Sequence, residues 1–550
     1  MPFPELVLND APPPGADLPS RADVALFVGL VPRRDAPVPA NVRRALEEAG
    51  WAGQGPFARS DEAVEALLDV PVAVTSWDAF DALFGWDTRP LAQGSARRLA
   101  CPLGLAVRSF FAEGGAKAWI VRTGDPLPLL PDPEVPEADV RAEKRRLVSW
   151  KTIAPPDAAN RVALIPGLDA IGTPASTGDP ATWHGAAHIW GVEDAAMLLL
   201  PDLAELFAPP PAPLASLPEP PPVPEVFKPC AVPVEGLAPE PRVARPNVTA
   251  PRYDRAAYGG WSGAIKALLD LLDASRRAGH RRDVMLVASL PLPRNDLDLP
   301  GLEGAPLRLL DEPELGVGKL KLHDLACIGS ARLQLGYPWV ATAASAVQPE
   351  GIEAPEGALA GAVARSALTF GAFASAASTP LPSIVSTVPE LPGAEIRASL
   401  PGGVADWTGD RLCLIGRKLG AMALISDATM SESRDWRAGG VSRLMGIILR
   451  ATRWLGQDRL YEPSGPRLWA ELQLDLESFL DRLWQLGALS GATAARAYTV
   501  RCDETTMRQA DIDAGRTIVS LAFTAAQPIQ RIEVTLSLAD AGVLQMAEAA

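Results

Sequence analysis

The chain has 550 residues, with 51 Lys and Arg against 66 Asp and Glu, a formal net charge of −15 and a hydrophobic share of 48 %. At roughly 100–200 residues per domain, that length predicts two to four domains, and the apolar share is ample for a sizeable core. The acidic balance excludes a general electrostatic pull toward nucleic acid or anionic lipid.

Residues 1–20 are Pro-rich without a helical period and are expected to form an extended arm. Asp23–Leu30 is a compact apolar run, predicting a buried strand. Val70–Thr75 predicts a second strand. Ser76 then caps a helix through Trp77, Phe80, Leu83 and Phe84, with Gly85 as its stop. Leu103–Phe111 is apolar at helical spacing and stops at Glu113-Gly114-Gly115; Ala118–Val121 follows as a strand. A helix, a glycine stop and a short buried strand belong to an α/β layer. Residues 126–160, rich in Pro, Glu and Arg, are expected as surface loops.

Ala195–Leu200 predicts another buried strand, ended by Pro201. From Pro209 to Pro251 there are fifteen prolines. Proline fixes φ and removes a backbone donor, so this stretch predicts neither helix nor central strand. It reads as a polyproline-like or disordered excursion, with an extended arm against a partner as the alternative. Ile265, Leu268, Leu269 and Leu272 then share one helical face, and Asp283–Ala288 predicts a strand. Ala358–Phe373 is Ala- and Gly-rich, with small-residue packing. Cys413–Ile415 is a further short strand. Val441, Leu444, Met445, Ile448 and Leu449 make one amphipathic helix, and Leu468, Leu472, Leu476, Phe479, Leu480 and Leu483 a second. After Gly491 the period changes to two, predicting strands at Tyr498–Val500, Thr517–Phe523 and Arg531–Leu538.

The chemistry-bearing residues are sparse. Five cysteines, Cys101, Cys230, Cys327, Cys413 and Cys502, lie far apart with no C-x-x-C pair, which argues against a disulfide framework or zinc knuckle and fits a reducing compartment. His184 and His188 have a spacing that aligns two ligands on a helix, but the glutamate of H-E-x-x-H is missing; two nearby surface histidines are expected, and no metal. Gly260-Trp261-Ser262-Gly263 has the wrong spacing for a nucleophile elbow. Gly316-Val317-Gly318-Lys319 lacks the third glycine of a phosphate cradle. The arginine doublets at 33–34, 43–44, 97–98 and 281–282 are too short and separate for a nucleic-acid stripe. No catalytic residue and no cofactor are therefore expected. No run reaches the ~20 uncharged apolar residues that span a bilayer, and Met1–Asp10 has no basic n-region, so the expectation is a soluble protein that folds in the cytoplasm.

Other landmarks form an ordered set. Val28-Gly29 closes a strand; Val74-Thr75-Ser76-Trp77-Asp78-Ala79-Phe80 follows; then come Ala106-Val107-Arg108-Ser109-Phe110-Phe111-Ala112-Glu113-Gly114-Gly115 and Trp119-Ile120-Val121-Arg122. Further on stand Tyr337-Pro338-Trp339, Pro355-Glu356-Gly357 with Ala360-Gly361 and Ala364-Arg365, Ser426-Asp427-Ala428-Thr429, Trp436-Arg437 and Val441-Ser442-Arg443-Leu444. Leu468-Trp469, Gly487-Ala488-Leu489, Cys502-Asp503 and Asp511-Ile512-Asp513-Ala514-Gly515 complete the order. Over roughly residues 20–125 and 185–540 this set resembles the contractile tail sheath proteins of phage tails and phage-tail-like injection systems. It departs from that family in lacking the opening P-G-V-Y strand, in Ser442 at an arginine position, and in the long proline segment.

The resemblance implies an α/β and α+β multidomain protein. Its parts would be an N-terminal arm (1–20), a small β-containing N-terminal sheath domain (21–125), surface loops (126–184), a subtilisin-like α/β middle domain without catalytic residues (185–440, with the Pro-rich insertion 209–251), and an α+β C-terminal domain with a strand-donating tail (441–550). It implies a structural subunit and not an enzyme: a sheath homopolymer of six-fold rings around an inner tube protein, with baseplate and terminator or cap proteins as further partners, no nucleic acid, and no membrane insertion of the sheath itself. Assembly would be cytoplasmic, in a particle released on lysis. A specialised sheath paralogue at the baseplate or cap, and an α/β hydrolase, are the rival readings. In the helix near Val441, Arg443, Arg450 and Arg453 fall within about a quarter-turn of one another; with the resemblance, this basic stripe is the candidate inner-tube contact.

Overall fold

The computed structural model describes residues 21–148, 161–166, 176, 179–211, 248–273, 281–294, 331–391, 410–431, 433–459, 465–507, 509–510, 517–526, 534–538 and 544–548. The arm at 1–20, the Gly316–Lys319 segment and all but the ends of the Pro-rich stretch 209–251 lie outside these residues.

Strand β1 (Ala25–Leu30) is buried at every position, the burial that a strand covered on both faces requires. It is a central strand of an eight-stranded sheet. In chain order the other members are β2 (Val72–Val74), β5 (Ala118–Gly124), β6 (Met197–Leu199), β7 (Met285–Ser289), β8 (Leu333–Tyr337), β11 (Cys413–Lys418) and β12 (Ala421–Leu424); β3 (Arg89–Pro90) and β4 (Arg98–Leu99) pair apart from it, as do β9 (Trp339–Thr342) and β10 (Ile384–Val388). The sheet order is β12-β11-β8-β7-β6-β1-β5-β2. Ala25 faces Ala118 on one side and Met197 on the other, both in parallel register. The edges are antiparallel, β2 against β5 and β12 against β11. The chain thus runs from β1 to the β2 edge, fills the place between them with β5, and continues on the other side of β1 from β6.

Helices cover the sheet. In chain order they are α1 (Ala40–Glu48), α2 (Asp61–Glu65), α3 (Trp77–Leu83), α4 (Pro102–Ala112), α5 (Glu137–Val148), α6 (Leu203–Leu206), α7 (Arg255–Asp273) and α8 (Glu356–Phe370). The expected Ser76 cap is present, its side chain accepting from Ala79 N at 3.2 Å. Helices α4 and α8 cross closely because glycine removes the intervening side chain. A Cβ on Gly357 would stand 2.2 Å from the Ala106 carbonyl, and one on Gly361 2.5 Å from that of Phe110.

One expectation is corrected by the structure. Residues 126–160 are not all loop: α5 runs through them, with Glu137 and Asp139 in its first turn and Arg145 and Arg146 in its last, charges placed to suit the helix dipole. Its apolar seam is thin, only Val140, Leu147 and Val148 being buried hydrophobics, so periodicity gave little signal. The segments 21–125 and 185–440 both contribute to the large sheet. Strands from both lie in one sheet, and their buried side chains form one core that includes Phe27, Phe110, Leu198, Leu286 and Leu335.

The C-terminal part begins with α9 (Gly439–Asp458) and α10 (Pro466–Gln485). Leu444, Ile447 and Ile448 share a second core with Leu476, Phe479, Leu480 and Leu483, and Ala367 and Ala372 join it from the main body. Strands β13 (Tyr498–Arg501) and β14 (Ser520–Phe523) pair antiparallel, as do β15 (Val534–Leu538) and β16 (Leu544–Glu548). The architecture is mixed α/β, with one large, mainly parallel sheet and several small ones.

Candidate functional site: the arginine-anchored helix α9

Helix α9 carries the three arginines of the expected basic stripe, and the structure places them otherwise. Arg443 is 3 % exposed and Arg450 5 %. Arg443 Nη2 lies 2.6 Å from Asp427 Oδ2, and Nη1 donates to Asp427 Oδ1 at 3.1 Å. Its remaining donors reach the backbone carbonyls of Ala372 and Ala374. Asp427 also accepts from Gln334 Nε2 at 2.7 Å and Ala376 N at 2.8 Å. Burial opposes the Asp427 charge, but Arg443 and these donors outweigh it and hold the carboxyl below its ordinary value.

Arg450 and Arg453 converge on Asp283, which precedes β7, at 3.8 Å and 2.9 Å. Arg281 completes the cluster at 3.2 Å and binds the Val192 and Ala195 carbonyls. Against the effect of burial, these three cations hold Asp283 at about 2. Burial lowers the Arg450 guanidinium to about 10. Space for this approach comes from Gly446, where a Cβ would stand 2.7 Å from the Asp283 carbonyl.

Arg443, Arg450 and Arg453 therefore do not form an exposed basic stripe. Two of them point into the protein, and Arg453, partly exposed, is held by the same buried carboxylate. An uncompensated buried carboxylate is costly, so each aspartate draws an arginine inward from a helix face that sequence alone leaves to solvent.

A second cluster corrects the expectation of two surface histidines. His188 is 0 % exposed. Its Nε2 lies 2.9 Å from Asp69 Oδ1, His184 Nδ1 lies 2.7 Å from Asp69 Oδ2, and Gly185 N donates to Asp69 Oδ1 at 2.9 Å. Burial lowers the His188 pKa, so the neutral ring donates through Nε2. Trp51 packs edge-on against this ring, with centroids 5.0 Å apart. Asp69 ties the α2–β2 connection to the 185–190 turn. Among the described residues no group of His, Cys, Asp and Glu is arranged to hold a metal.

The remaining motifs are structural in placement. Gly260-Trp261-Ser262-Gly263 lies inside α7, with Trp261 buried. Cys101, Cys413 and Cys502 are buried free thiols. No helix among the described residues is long and apolar enough to cross a membrane. The carboxylate hubs Asp69, Asp283 and Asp427 were missed as a class. Asp427 stood in a quoted motif, sixteen residues before Arg443, and only the fold shows that the two motifs meet.

No protein-family model matches the sequence, and no curated protein matches it. Solved structures do. A chain in the contracted-state baseplate of the anti-feeding prophage (AFP) aligns with a TM-score of 0.52 at 17 % identity, over 98 % of this chain and 99 % of that one. The AFP helical sheath in contracted state aligns at 0.49 and 17 %, and the contracted PVC sheath complex of an extracellular contractile injection system at 0.47 and 14 %, each over 98 % of this chain and 99 % of the other. Over nearly its whole length the chain has the fold of a protein from a contracted anti-feeding prophage baseplate.

Proposed function

We propose that this chain is the structural sheath subunit of a contractile, phage-tail-like injection machine. The carrying observation is the end-to-end fold match to a contracted AFP baseplate chain, reached independently of the ordered motifs that resemble sheath proteins. In this reading the subunits polymerise as stacked six-fold rings around an inner tube, held by baseplate and terminator or cap proteins. Release repacks the rings, and the difference in free energy between two packings of one chain drives the tube through a target envelope. No nucleotide and no catalytic step are required. The region 185–440 corresponds to the subtilisin-like part of the sheath fold, used as scaffold, and 441–550 to the part facing the tube, with the arm and tail pairing to neighbours by strand addition. Assembly takes place in the cytoplasm, and the finished particle leaves on lysis.

Electron microscopy and sedimentation of the purified chain, with and without its tube protein, test this. Rings or hollow tubes are expected; a lasting monodisperse monomer under both conditions refutes it. A second reading, a specialised ring next to the baseplate, draws on the same comparison, because the chain with the TM-score of 0.52 comes from a baseplate structure. Labelling the chain in whole particles separates the two: label along the full length marks the main sheath, and label at one end marks the specialised ring.

A further inference from the structure

The β11–β12 hairpin turns on Leu419 and Gly420. Lys418 pairs with Ala421, which leaves a two-residue loop. Leu419 has φ +51° and Gly420 φ +88°, the left-handed pair of a type I′ turn, for which Asn-Gly is the favoured sequence. Leucine suits the first of these positions poorly, because its Cβ crowds the backbone there. It is also fully exposed, so it gains nothing from burial in its own chain. A lone exposed leucine needs no explanation. A leucine that is both unburied and held in the left-handed region breaks two local rules at one position, and such violations cluster at functional sites.

What can meet this tip is limited by its surroundings. The outer edge of β12 is closed: Leu381 N donates to the Met422 carbonyl and Leu424 N to that of Thr379, each at 2.9 Å. The hairpin therefore offers its end and not a strand edge. That end is basic. Arg417 and Lys418 are exposed beside Leu419. Arg417 lies 3.6 Å from Glu390, with both side chains more than half exposed, and Lys418 Nζ donates to Ser378 Oγ. In a chain of net charge −15, copies repel one another, so a contact between copies needs a local match of opposite charge. The chain carries a counterpart. Val135 is 44 % exposed within Pro131-Asp132-Pro133-Glu134-Val135-Pro136-Glu137, where 132–137 are all exposed. Three prolines restrict this backbone, and its apolar side chain stands among carboxylates as Leu419 stands among cations. Leu474 on α10 is also exposed among acids, but Glu471 and Asp475 there are bound by Arg459.

We infer that the hairpin tip is a contact between copies of this chain: Leu419 of one copy packs on Val135 of the next, while Arg417 and Lys418 face Asp132 and Glu134. The contact rests on the polymer reading and adds to it a head-to-tail joint. Two different patches meet, and each copy keeps one of each free for a further neighbour, the arrangement that generates rings and filaments.

Leu419→Asn separates the two roles of the position. At concentrations low enough to keep copies apart, it is expected to raise the midpoint of thermal unfolding, because asparagine suits the left-handed position. In sedimentation it is expected to raise the concentration at which copies associate by at least about tenfold, through the loss of one buried leucine side chain. Lys418→Glu and Glu134→Lys should each weaken association, and the two together should restore it. A photo-cross-linking residue at position 419 should join copies within 132–137, read by mass spectrometry of the linked peptides. If the unmodified chain assembles and Leu419→Asn assembles at the same concentration, the contact is overturned and the polymer reading stands. A cross-link confined to other segments overturns it too. If the unmodified chain stays monomeric with and without its tube protein, both fall.

Discussion

Arg443 Nη2 meets Asp427 Oδ2 at 2.6 Å, with the two side chains 2 % and 0 % exposed. This pair joins helix α9 to the sheet, since Asp427 follows β12 and also accepts from Gln334 on β8. Removing one partner leaves the other charge buried and unpaired, at a cost of about 3–5 kcal/mol. Arg443→Met is expected to lose that much stability in chemical denaturation. The double variant Arg443→Met, Asp427→Leu should recover most of it. A loss under ~1 kcal/mol for the single variant would mean that Arg443 behaves as a surface residue.

Stability should peak on the acid side of neutrality. Burial raises Glu353, Glu356 and Asp202 to about 8, 7 and 7. Between about pH 4.5 and those values the folded chain holds more protons than the unfolded chain, so stability falls as pH rises through that window. Asp283 is held at about 2 by Arg281, Arg453 and Arg450 against the effect of burial. Its contribution is present above about pH 4 and is lost as pH falls toward 2. Thermal unfolding against pH is expected to give a maximum near pH 5, and Glu353→Gln should flatten the neutral limb. A melting temperature that climbs steadily from pH 5 to 8 contradicts this.

Glycines divide by what surrounds them. Gly357→Ala forces a Cβ to within 2.2 Å of the Ala106 carbonyl and should cost about 1–3 kcal/mol as overpacking. Gly263 in α7 and Gly456 in α9 have no atom within 4 Å of an added Cβ. Alanine at each should add about 0.5–1 kcal/mol of stability, by lowering the entropy of the unfolded chain. Denaturant midpoints measure all three.

Asp69 accepts from two histidines and one backbone amide. Asp69→Ala should cost about 1–3 kcal/mol, because His188 and Gly185 lose their buried acceptor. His184→Ala should cost less, its side chain being 28 % exposed. Trp51, against the His188 ring, offers a fluorescence readout; an unchanged emission maximum in Asp69→Ala would show that this cluster does not hold the aromatic packing.

The individual elements were legible wherever apolar spacing is strong. The strand at Asp23–Leu30, the Ser76-capped helix, Ala195–Leu200 and the two helices of the C-terminal part follow from periodicity and caps. Helix α5 was not legible, because its buried seam includes Lys144, which reaches the Glu205 and Ala208 carbonyls. Sheet membership was hidden for another reason. Nothing local tells β1 that β5 and β6 will flank it, and both partners come from far along the chain. The arginines of α9 failed as a surface prediction because helical angle places residues on a face without saying what waits opposite, and Asp283 and Asp427 lie outside the helix.

The central position of β1 also sets the timing of folding. Leu30 N donates to Asp202 Oδ2 across 172 residues, and β11, at the far side of the sheet, begins at Cys413. At roughly 5–20 residues per second of synthesis, β1 waits on the order of ten to thirty seconds for its β6 partner. During that interval its β6-facing edge stands unpaired beside the ribosome, an edge of the kind that recruits other chains. Asp23 at the head of this strand pairs with Arg21, placing a charge beside the apolar run as sequences do where aggregation must be held off. The native sheet is thus reached only after most of the chain has left the ribosome.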